Sequence, residues 1–332
     1  MANLRALALA VADVAARAAL RAPLLERALV TACHSPTLRS SLRLGAIAVG
    51  YTRVLSRPEL RVASLGKYQL QVNVSEELGT APFFFGDSGT LWLTALLLRP
   101  GDNCVDAGAN MGHYTFLMAS EVGPSGRVLA FEANPTFVEI LAGTIALNHY
   151  ESRVSLHALA LWEESNQEKS FYLSVNSANS GTSSLINHGA YLRPDNKVTV
   201  NTITLDDAAA NAGVGHFRLV KIDVERAEEF VIAGARGLLS NHQIDFLIVE
   251  LVAGTATQRL LLAHGYVGWL ANPNRKELIP IASVPEGTFG DFVFASPRAI
   301  GELQQALDVE EKPNSNATSV STRAARSGDL SA

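Results

Sequence analysis

The sequence has 332 residues, 48% of them hydrophobic, which is enough for one sizeable core but short for two full enzyme domains. A formal net charge of -5 offers no basic face, so nucleic acid is not expected as a partner. The only two cysteines, Cys33 and Cys104, are far apart in the chain, which argues against a disulfide framework and favours a cytoplasmic location.

Residues 1–64 are predicted to form a helical appendage rich in alanine and leucine. Charged residues such as Asp13 and Arg17 interrupt it, so no window reaches the roughly 18 apolar residues that a membrane span requires. Neither a membrane span nor a signal peptide is therefore expected. The apolar faces of these helices could instead form a homodimer interface or cover an acceptor pocket.

Residues 65–300 are predicted to form one α/β domain, because short apolar strands alternate with longer helical segments. The predicted strands of its sheet cover 103–107, 127–132, 154–159, 217–223, 245–251, 266–270 and 291–295. The predicted helices between them cover 114–122, 137–149, 227–239 and 255–264. This pattern predicts a Rossmann-like, mostly parallel sheet of seven strands with helices on both faces.

Two further segments interrupt or end this pattern. A polar loop, residues 176–196, separates two predicted strands at 170–175 and 198–205, and is either a lid over the acceptor pocket or an ordinary surface excursion. The tail, residues 301–332, is poor in large apolar residues and is predicted to be disordered.

A glycine-rich turn, VDAGANMG at 105–112, lies between a predicted strand and a helix. Gly108 permits a tight turn, and Gly112 lets the start of the helix lie close to a ligand. Glu132 ends the next strand, about 24 residues after Gly108, close to the ~20 expected for a carboxylate that binds a ribose diol. The two elements together predict a site for a cofactor of the nucleoside type.

The glycine spacing distinguishes between two such cofactors. A dinucleotide site has the pattern GxGxxG, whereas Asn110 stands here at the middle glycine position. Asp106 beside the turn would repel a pyrophosphate but could orient a cationic amino group. S-adenosylmethionine is therefore favoured, and a nicotinamide-dependent dehydrogenase is disfavoured.

The ordered motifs of the chain resemble those of FkbM-type methyltransferases. These motifs are VDAGANMGHYT, FEANP, TITLDD, LVKIDVERAEEFVIAGA and FLIVEL, and the resemblance covers roughly residues 91–251. The resemblance implies a class I methyltransferase fold, S-adenosylmethionine as cofactor, and O-methylation of a hydroxyl on a small molecule or sugar. In the family pattern a glycine follows KIDVE and an aromatic residue follows the second loop glycine; here Arg226 and His113 stand at these positions.

The resemblance also implies which residues bind the cofactor. Those expected to border the methionine moiety are Asp106, Gly108, Asn110 and Gly112. Glu132 is expected to bind the ribose, with Asn134 of the same motif beside it. Ala158, in the segment 157–159, is expected on the adenine side.

Three residues are candidates for a catalytic role. Asp223 and Glu225 lie at alternating positions near the carboxyl end of a central strand, where open α/β sheets bind ligands. Either could serve as a base or orient the acceptor, and His113 is a second candidate base near the cofactor loop. Glu250 ends the neighbouring strand and could also face the cleft. No set of oxygen ligands is evident, so no metal is expected.

Two functions therefore remain open. The first is an S-adenosylmethionine-dependent O-methyltransferase. The second is a non-catalytic module of the same fold that binds the cofactor without methylating an acceptor, which Arg226 in the KIDVE region makes conceivable. Only the enzyme would release S-adenosylhomocysteine when the right acceptor is present.

Overall fold

A computed structural model describes residues 2–34, 45–55, 57–86, 89–176, 179–189 and 191–310. The predicted disordered tail lies partly outside this range, since residues 311–332 are not described. Its first ten residues do not fit the prediction of disorder. They continue a helix, Ile300–Glu310, in which Leu303 is buried in the core and Glu302 forms an ion pair with Arg218.

The N-terminal part consists of helices followed by a β-hairpin. The elements are α1 (Ala2–Arg21), α2 (Pro23–His34), α3 (Gly45–Val54), β1 (Leu60–Ser64), β2 (Gln69–Asn73) and α4 (Glu77–Phe85). The antiparallel pair of β1 and β2 crosses the predicted boundary at residue 64, so the appendage is not purely helical. Tyr51 and Phe84 are fully buried where α3 packs on α4, and these side chains attach the appendage to the main core.

The strands that follow are grouped around a central sheet. They are β3 (Asn103–Ala107), β4 (Arg127–Phe131), β5 (Val154–His157), β6 (Ala160–Leu161), β7 (Glu168–Ser174), β8 (Leu192–Ile203), β9 (Phe217–Ile222), β10 (Ile244–Val252), β11 (Val267–Asn272), β12 (Glu277–Pro280) and β13 (Phe289–Ala295). The central sheet has the order β12-β11-β13-β10-β9-β3-β4-β5, and a smaller sheet has the order β6-β8-β7.

The central sheet is mostly parallel, as the sequence predicts. Strands β10, β9, β3, β4 and β5 are parallel, whereas β13 lies antiparallel between β10 and β11. This is the class I methyltransferase arrangement. The sheet has eight strands rather than the predicted seven, because Glu277–Pro280 folds back on β11 as an antiparallel hairpin.

Helices cover both faces of the sheet. They are α5 (Leu91–Leu97), α6 (His113–Val122), α7 (Pro135–Asn148), α8 (Leu205–Ala212), α9 (Glu228–Ala233), α10 (Arg236–Ser240), α11 (Ala256–Ala263) and α12 (Ile300–Glu310). Cys104 and Val105 illustrate how successive residues of one strand enter two different cores, one on each face.

The single helix predicted over 227–239 is divided into α9 and α10. The division falls at Gly234, where a Cβ atom would lie 2.1 Å from the carbonyl oxygen of Trp162. The chain passes so close to this carbonyl that the helix does not continue.

Candidate functional site

The loop between β3 and α6 has an unusual backbone. Gly108 and Gly112 have φ of 79° and 95°, and Asn110 between them has φ of 52°. A Cβ atom at Gly108 would lie 1.9 Å from the carbonyl oxygen of Asp223, so the ends of β3 and β9 pack directly against each other. At Gly112 a Cβ atom would lie 2.4 Å from the ring of Phe116. The glycines therefore serve close packing as well as the turn.

Glu132, which follows β4, holds this loop in place. One carboxylate oxygen accepts a hydrogen bond from the N–H of Asn110 and the other from the N–H of Asn134, each at 2.7 Å. Burial raises the pKa of Glu132 to about 7, although these backbone hydrogen bonds lower it. The Asn134 side chain accepts from the N–H of Thr136 at 3.1 Å and caps α7.

A cavity of about 350 Å³ runs along the carboxyl edge of the central sheet. Its lining includes seven of the predicted site residues: Gly108, Asn110, His113, Glu132, Asn134, Asp223 and Glu225. Glu250, at the end region of β10, lines it as well. Because β4, β3, β9 and β10 are consecutive in the sheet, Glu132 and Glu250 lie on opposite sides of the glycine loop.

Three predicted cofactor residues do not line this cavity, and their roles stay predictions. Asp106 is 2% exposed and accepts a hydrogen bond from the Thr115 hydroxyl at 2.5 Å, so it lies beneath the loop. Its pKa is raised to about 6, mainly by burial. Gly112 packs on α6, and Ala158 is exposed beside Leu159, which does line the cavity.

The carboxylates of Asp223, Glu225 and Glu250 meet at one side of the cavity. The buried ammonium of Lys221 lies 3.3 Å from a carboxylate oxygen of Asp223 and 3.2 Å from one of Asp291. Burial, followed by the charge of Asp223, raises the pKa of Glu225 to about 7 and that of Glu250 to about 8. These two carboxyl groups are thus stronger bases than ordinary glutamates, whereas the Asp223 charge is paired with Lys221.

The other candidate base differs from these glutamates in strength. Burial lowers the pKa of His113 to about 4, so its imidazole is neutral at neutral pH and is a weak proton acceptor. These pKa values favour Glu225 and Glu250 over His113 as proton acceptors.

The turn after β9 forms although Arg226 replaces the family's glycine. Glu225 and Arg226 have φ of 55° and 75°, a region that residues with a Cβ atom seldom adopt. The Glu228 carboxylate accepts from the N–H of Arg226 at 3.1 Å, and the Ser184 hydroxyl donates to the carbonyl oxygen of Glu225 at 2.6 Å. These contacts hold the strained turn against the cavity.

Part of the predicted polar loop forms one side of the cavity. We call residues 179–185 the wall segment, because Asn179, Gly181, Ser183 and Leu185 all line the cavity. The loop ends earlier than predicted, because β8 begins at Leu192, inside the predicted range 176–196. The sequence singled out the loop by its length and polarity but could not distinguish a lid from a surface excursion.

Several lining residues were missed by the sequence analysis. They are Leu78, Ala109, Met111, Tyr114, Phe131, Ala133, Phe137, Ala160, Leu161, Phe171, Val224 and Ala227. Leu159, in the predicted segment 157–159, does line the cavity. Ala133 follows the end of β4 and could have been found from that position. Leu78 has no such signal, because α4 precedes the domain in sequence and reaches the cavity only by tertiary packing.

Comparisons with known proteins agree with this architecture. Residues 106–267 match the family model described as the methyltransferase FkbM domain. The chain therefore carries an FkbM-type methyltransferase domain. It is 25% identical over 199 residues to the 31-O-demethyl-FK506 methyltransferase FkbM of Streptomyces tacrolimicus, covering 51% of this chain and 74% of that protein.

Two solved structures resemble the chain more distantly. The methyltransferase FkbM of Methylobacillus flagellatus has a TM-score of 0.40 and 17% identity over 67% of this chain, which spans only 52% of that protein. The M. jannaschii protein TYW2, solved in complex with AdoMet, has a TM-score of 0.38 and 12% identity, covering 73% of this chain and 87% of that chain. These values are too low to transfer residue roles.

The described residues were also considered for membrane-spanning helices and for metal sites. No helix in that part of the chain is both long and apolar enough to cross a membrane. Among the same residues, no group of three or more His, Cys, Asp and Glu side chains has a geometry that could hold a metal ion.

Proposed function

We propose that this methyltransferase uses S-adenosylmethionine and methylates a hydroxyl group of a small molecule or sugar. The observation that carries the proposal is the arrangement of the cavity. Glu132 lies on one side of the glycine loop, and Glu225 and Glu250 lie on the other, along the same edge of the sheet.

The Glu132 side of the cavity fits a nucleoside. Each carboxylate oxygen of Glu132 already accepts one backbone N–H, but a carboxylate offers about four acceptor sites, which leaves capacity for the two hydroxyls of a ribose. Phe131, Phe137 and Leu159 add apolar lining, which suits the faces of a purine ring. The residues present therefore fit the adenosine part of the cofactor.

The opposite side fits a cation and an acceptor hydroxyl. When bound, S-adenosylmethionine supplies an electrophilic methyl group on a positively charged sulfur. Asp223 and, once they lose their protons, Glu225 and Glu250 give this side of the cavity a negative potential that favours such a charge. The chain itself must align the acceptor oxygen with the methyl group and take up the hydroxyl proton.

Glu225 and Glu250 are the side chains best suited to take that proton. Their raised pKa values, about 7 and about 8, are close to the pH at which a general base works best. The ammonium of Lys221 pairs with Asp223 at 3.3 Å and fixes its side chain beside them. We therefore expect Asp223 to orient groups and one of the two glutamates to act as the base.

The cofactor is tested by calorimetric titration of the wild-type chain with S-adenosylhomocysteine and, separately, with NAD. We expect binding of the first ligand and not of the second. Release of S-adenosylhomocysteine from S-adenosylmethionine with a panel of sugar and small-molecule hydroxyl acceptors then tests the reaction. Binding without turnover on any acceptor would favour the non-catalytic module, and NAD binding alone would overturn the proposal.

The base is tested with Glu225→Gln and Glu250→Gln. Loss of the base should lower kcat by roughly 10²- to 10⁴-fold without weakening S-adenosylhomocysteine binding. In the wild type, kcat should rise with pH through the range from about 7 to about 8, because the carboxyl group must first lose its own proton. Glu139→Gln, on the exposed side of α7, makes the same charge change as a control. Unchanged kcat in both site variants would exclude these glutamates as the base.

A further inference from the structure

The wall segment is attached to a residue that lies outside the matched family domain. Glu76, just before α4, is 8% exposed, and one oxygen of its carboxylate accepts two hydrogen bonds from Ser180. The backbone N–H of Ser180 donates at 2.9 Å and its hydroxyl at 2.5 Å. The family match begins at residue 106, so this contact joins the preceding segment to the cavity.

The second oxygen of Glu76 is also committed. It accepts from the side-chain amide of Asn73 at 2.7 Å. The Asn73 amide cannot turn over to offer its oxygen instead, because that oxygen accepts from the N–H groups of Glu59 and Ser75 and from the Ser75 hydroxyl. Both terminal atoms of the side chain at position 76 therefore face hydrogen-bond donors, and only a carboxylate can accept at both of them.

The same contact places the wall segment against the glycine loop. A Cβ atom at Gly181 would lie 2.5 Å from the Leu78 side chain and 2.7 Å from the side-chain nitrogen of Asn110. Gly181 is thus packed between α4 and the loop that follows β3. Any displacement of Ser180 from Glu76 would change the cavity directly beside Asn110.

The other end of the wall segment reaches the carboxylate side. The Ser184 hydroxyl donates to the carbonyl oxygen of Glu225 at 2.6 Å. The wall segment is polar over most of its length, so hydrogen bonds rather than apolar packing hold it in place. Tyr172 and Ser174 of β7 bond to it on one side, and Glu76 bonds to it from outside the matched family domain.

We propose that Glu76 is a positioning residue, which holds the wall segment against the glycine loop and so maintains the cofactor-binding shape of the cavity. The part of this inference that concerns the cofactor rests on the proposed function. It means that residues 59–86, although outside the family domain, are part of the binding site. Glu76 itself does not line the cavity and acts only through Ser180 and Gly181.

The test uses the full chain with Glu76→Gln and a matched control, Asp206→Asn. Asp206 is likewise a carboxylate whose two oxygens both accept hydrogen bonds, here from the N–H groups of Gly237 and Leu238, and like Glu76 it does not line the cavity. Glutamine at position 76 must leave one donor facing its amide group. Losing one hydrogen bond to a charged group corresponds to roughly a 10-fold change in an equilibrium constant.

Two measurements are made on each variant. Amide hydrogen exchange without any ligand should accelerate about 10-fold over residues 179–185 in Glu76→Gln and not in Asp206→Asn. Calorimetry should show S-adenosylhomocysteine bound about 10-fold more weakly by Glu76→Gln and unchanged by Asp206→Asn. Ser180→Ala, which removes only the hydroxyl donor, should give smaller changes in the same direction and serves if Glu76→Gln does not fold.

The outcomes separate the two proposals. Unchanged exchange over 179–185 in Glu76→Gln, or faster exchange with unchanged affinity, would overturn the positioning role. If the wild type does not bind S-adenosylhomocysteine, the proposed function fails, and the exchange measurement still decides whether Glu76 holds the wall segment.

Discussion

Two single residues best show how local chemistry shapes this site. Glu132 uses both carboxylate oxygens to hold the backbone of the glycine loop and of the segment after β4, yet it keeps further acceptor capacity. Arg226 adopts a left-handed backbone conformation that glycine would adopt without strain. The first residue holds two loops together and is proposed to bind the ribose as well, and the second carries strain at the edge of the cavity.

Glu132→Gln should weaken S-adenosylhomocysteine binding by on the order of 10- to 100-fold, because an amide cannot accept from both backbone N–H groups and also from a ribose diol. Isothermal titration calorimetry measures the change. Glu139→Gln, which removes the same charge from an exposed position on α7, should bind like the wild type. Equal affinities in the two variants would show that Glu132 does not contact the ligand.

Arg226→Gly should leave the chain as stable as the wild type or up to about 1 kcal/mol more stable. Relief of the left-handed conformation contributes about 1–2 kcal/mol, and the greater freedom of glycine in the unfolded chain removes about 0.5–1 kcal/mol of this. Arg226→Ala keeps the Cβ atom and should show no gain. Urea denaturation of both variants gives the comparison, and an equal gain in Arg226→Ala would mean that the side chain, rather than φ, causes the strain.

At the scale of elements, the site depends on the contact between two strand ends. The loop after β3 and the turn after β9 touch at Gly108 and Asp223, which brings the glycine loop beside the carboxylates. The wall segment then spans from the glycine loop to the turn after β9. The cavity is therefore an assembly of three loops rather than a property of any one of them.

Gly108→Ala should disrupt this contact and abolish measurable S-adenosylhomocysteine binding, because the new Cβ would lie 1.9 Å from a backbone oxygen. Gly123→Ala provides the control, since Gly123 also has a positive φ, 64°, but no atom within 4 Å of the added Cβ. The control should lose about 1–3 kcal/mol of stability through backbone strain, with no steric clash. Thermal unfolding and calorimetry on both separate the steric clash from the strain, and retained binding in Gly108→Ala would contradict the prediction.

For the molecule as a whole, the cavity brings together several side chains whose pKa values are shifted in favour of their neutral forms. Burial raises the pKa values of Glu132 and Glu225 to about 7 and that of Glu250 to about 8. Burial lowers the pKa of His113 to about 4. Groups with such shifted pKa values make the stability of the fold depend on pH.

The free energy of unfolding should fall between pH 6.5 and pH 8. In this range the folded state still holds carboxyl protons that the unfolded chain has already lost, so raising the pH favours unfolding. The opposite effect of His113 fades as the pH rises past 6.5, its ordinary pKa. The expected loss is roughly 1–3 kcal/mol, measured by urea denaturation at several pH values. Glu250→Gln should make the decline shallower, whereas Glu139→Gln should not; a rise in stability over this range would contradict the assignment.

The strand and helix pattern of the sequence was enough to predict the fold class and many of the residues on the Glu132 side of the cavity. Gly108, Asn110, Glu132 and Asn134 could be found because each follows a strand whose apolar pattern is visible, and parallel strands bring their carboxyl ends to one edge. The KIDVE segment placed Asp223 and Glu225 at that edge for the same reason.

The other features of the site depend on contacts between segments that are far apart in the sequence. Asp106 points beneath the glycine loop to Thr115, which a strand pattern does not reveal. The wall segment meets Glu76 across 104 positions of sequence, and Glu250 lies opposite Asp291 only through the register of an antiparallel pair. Contacts between residues this far apart in the sequence depend on how the whole core packs, and no local periodicity of the sequence encodes them. For this reason the sequence located the strand ends that form the site and singled out the polar loop, but it could not show that residues 179–185 of that loop contact the glycine loop.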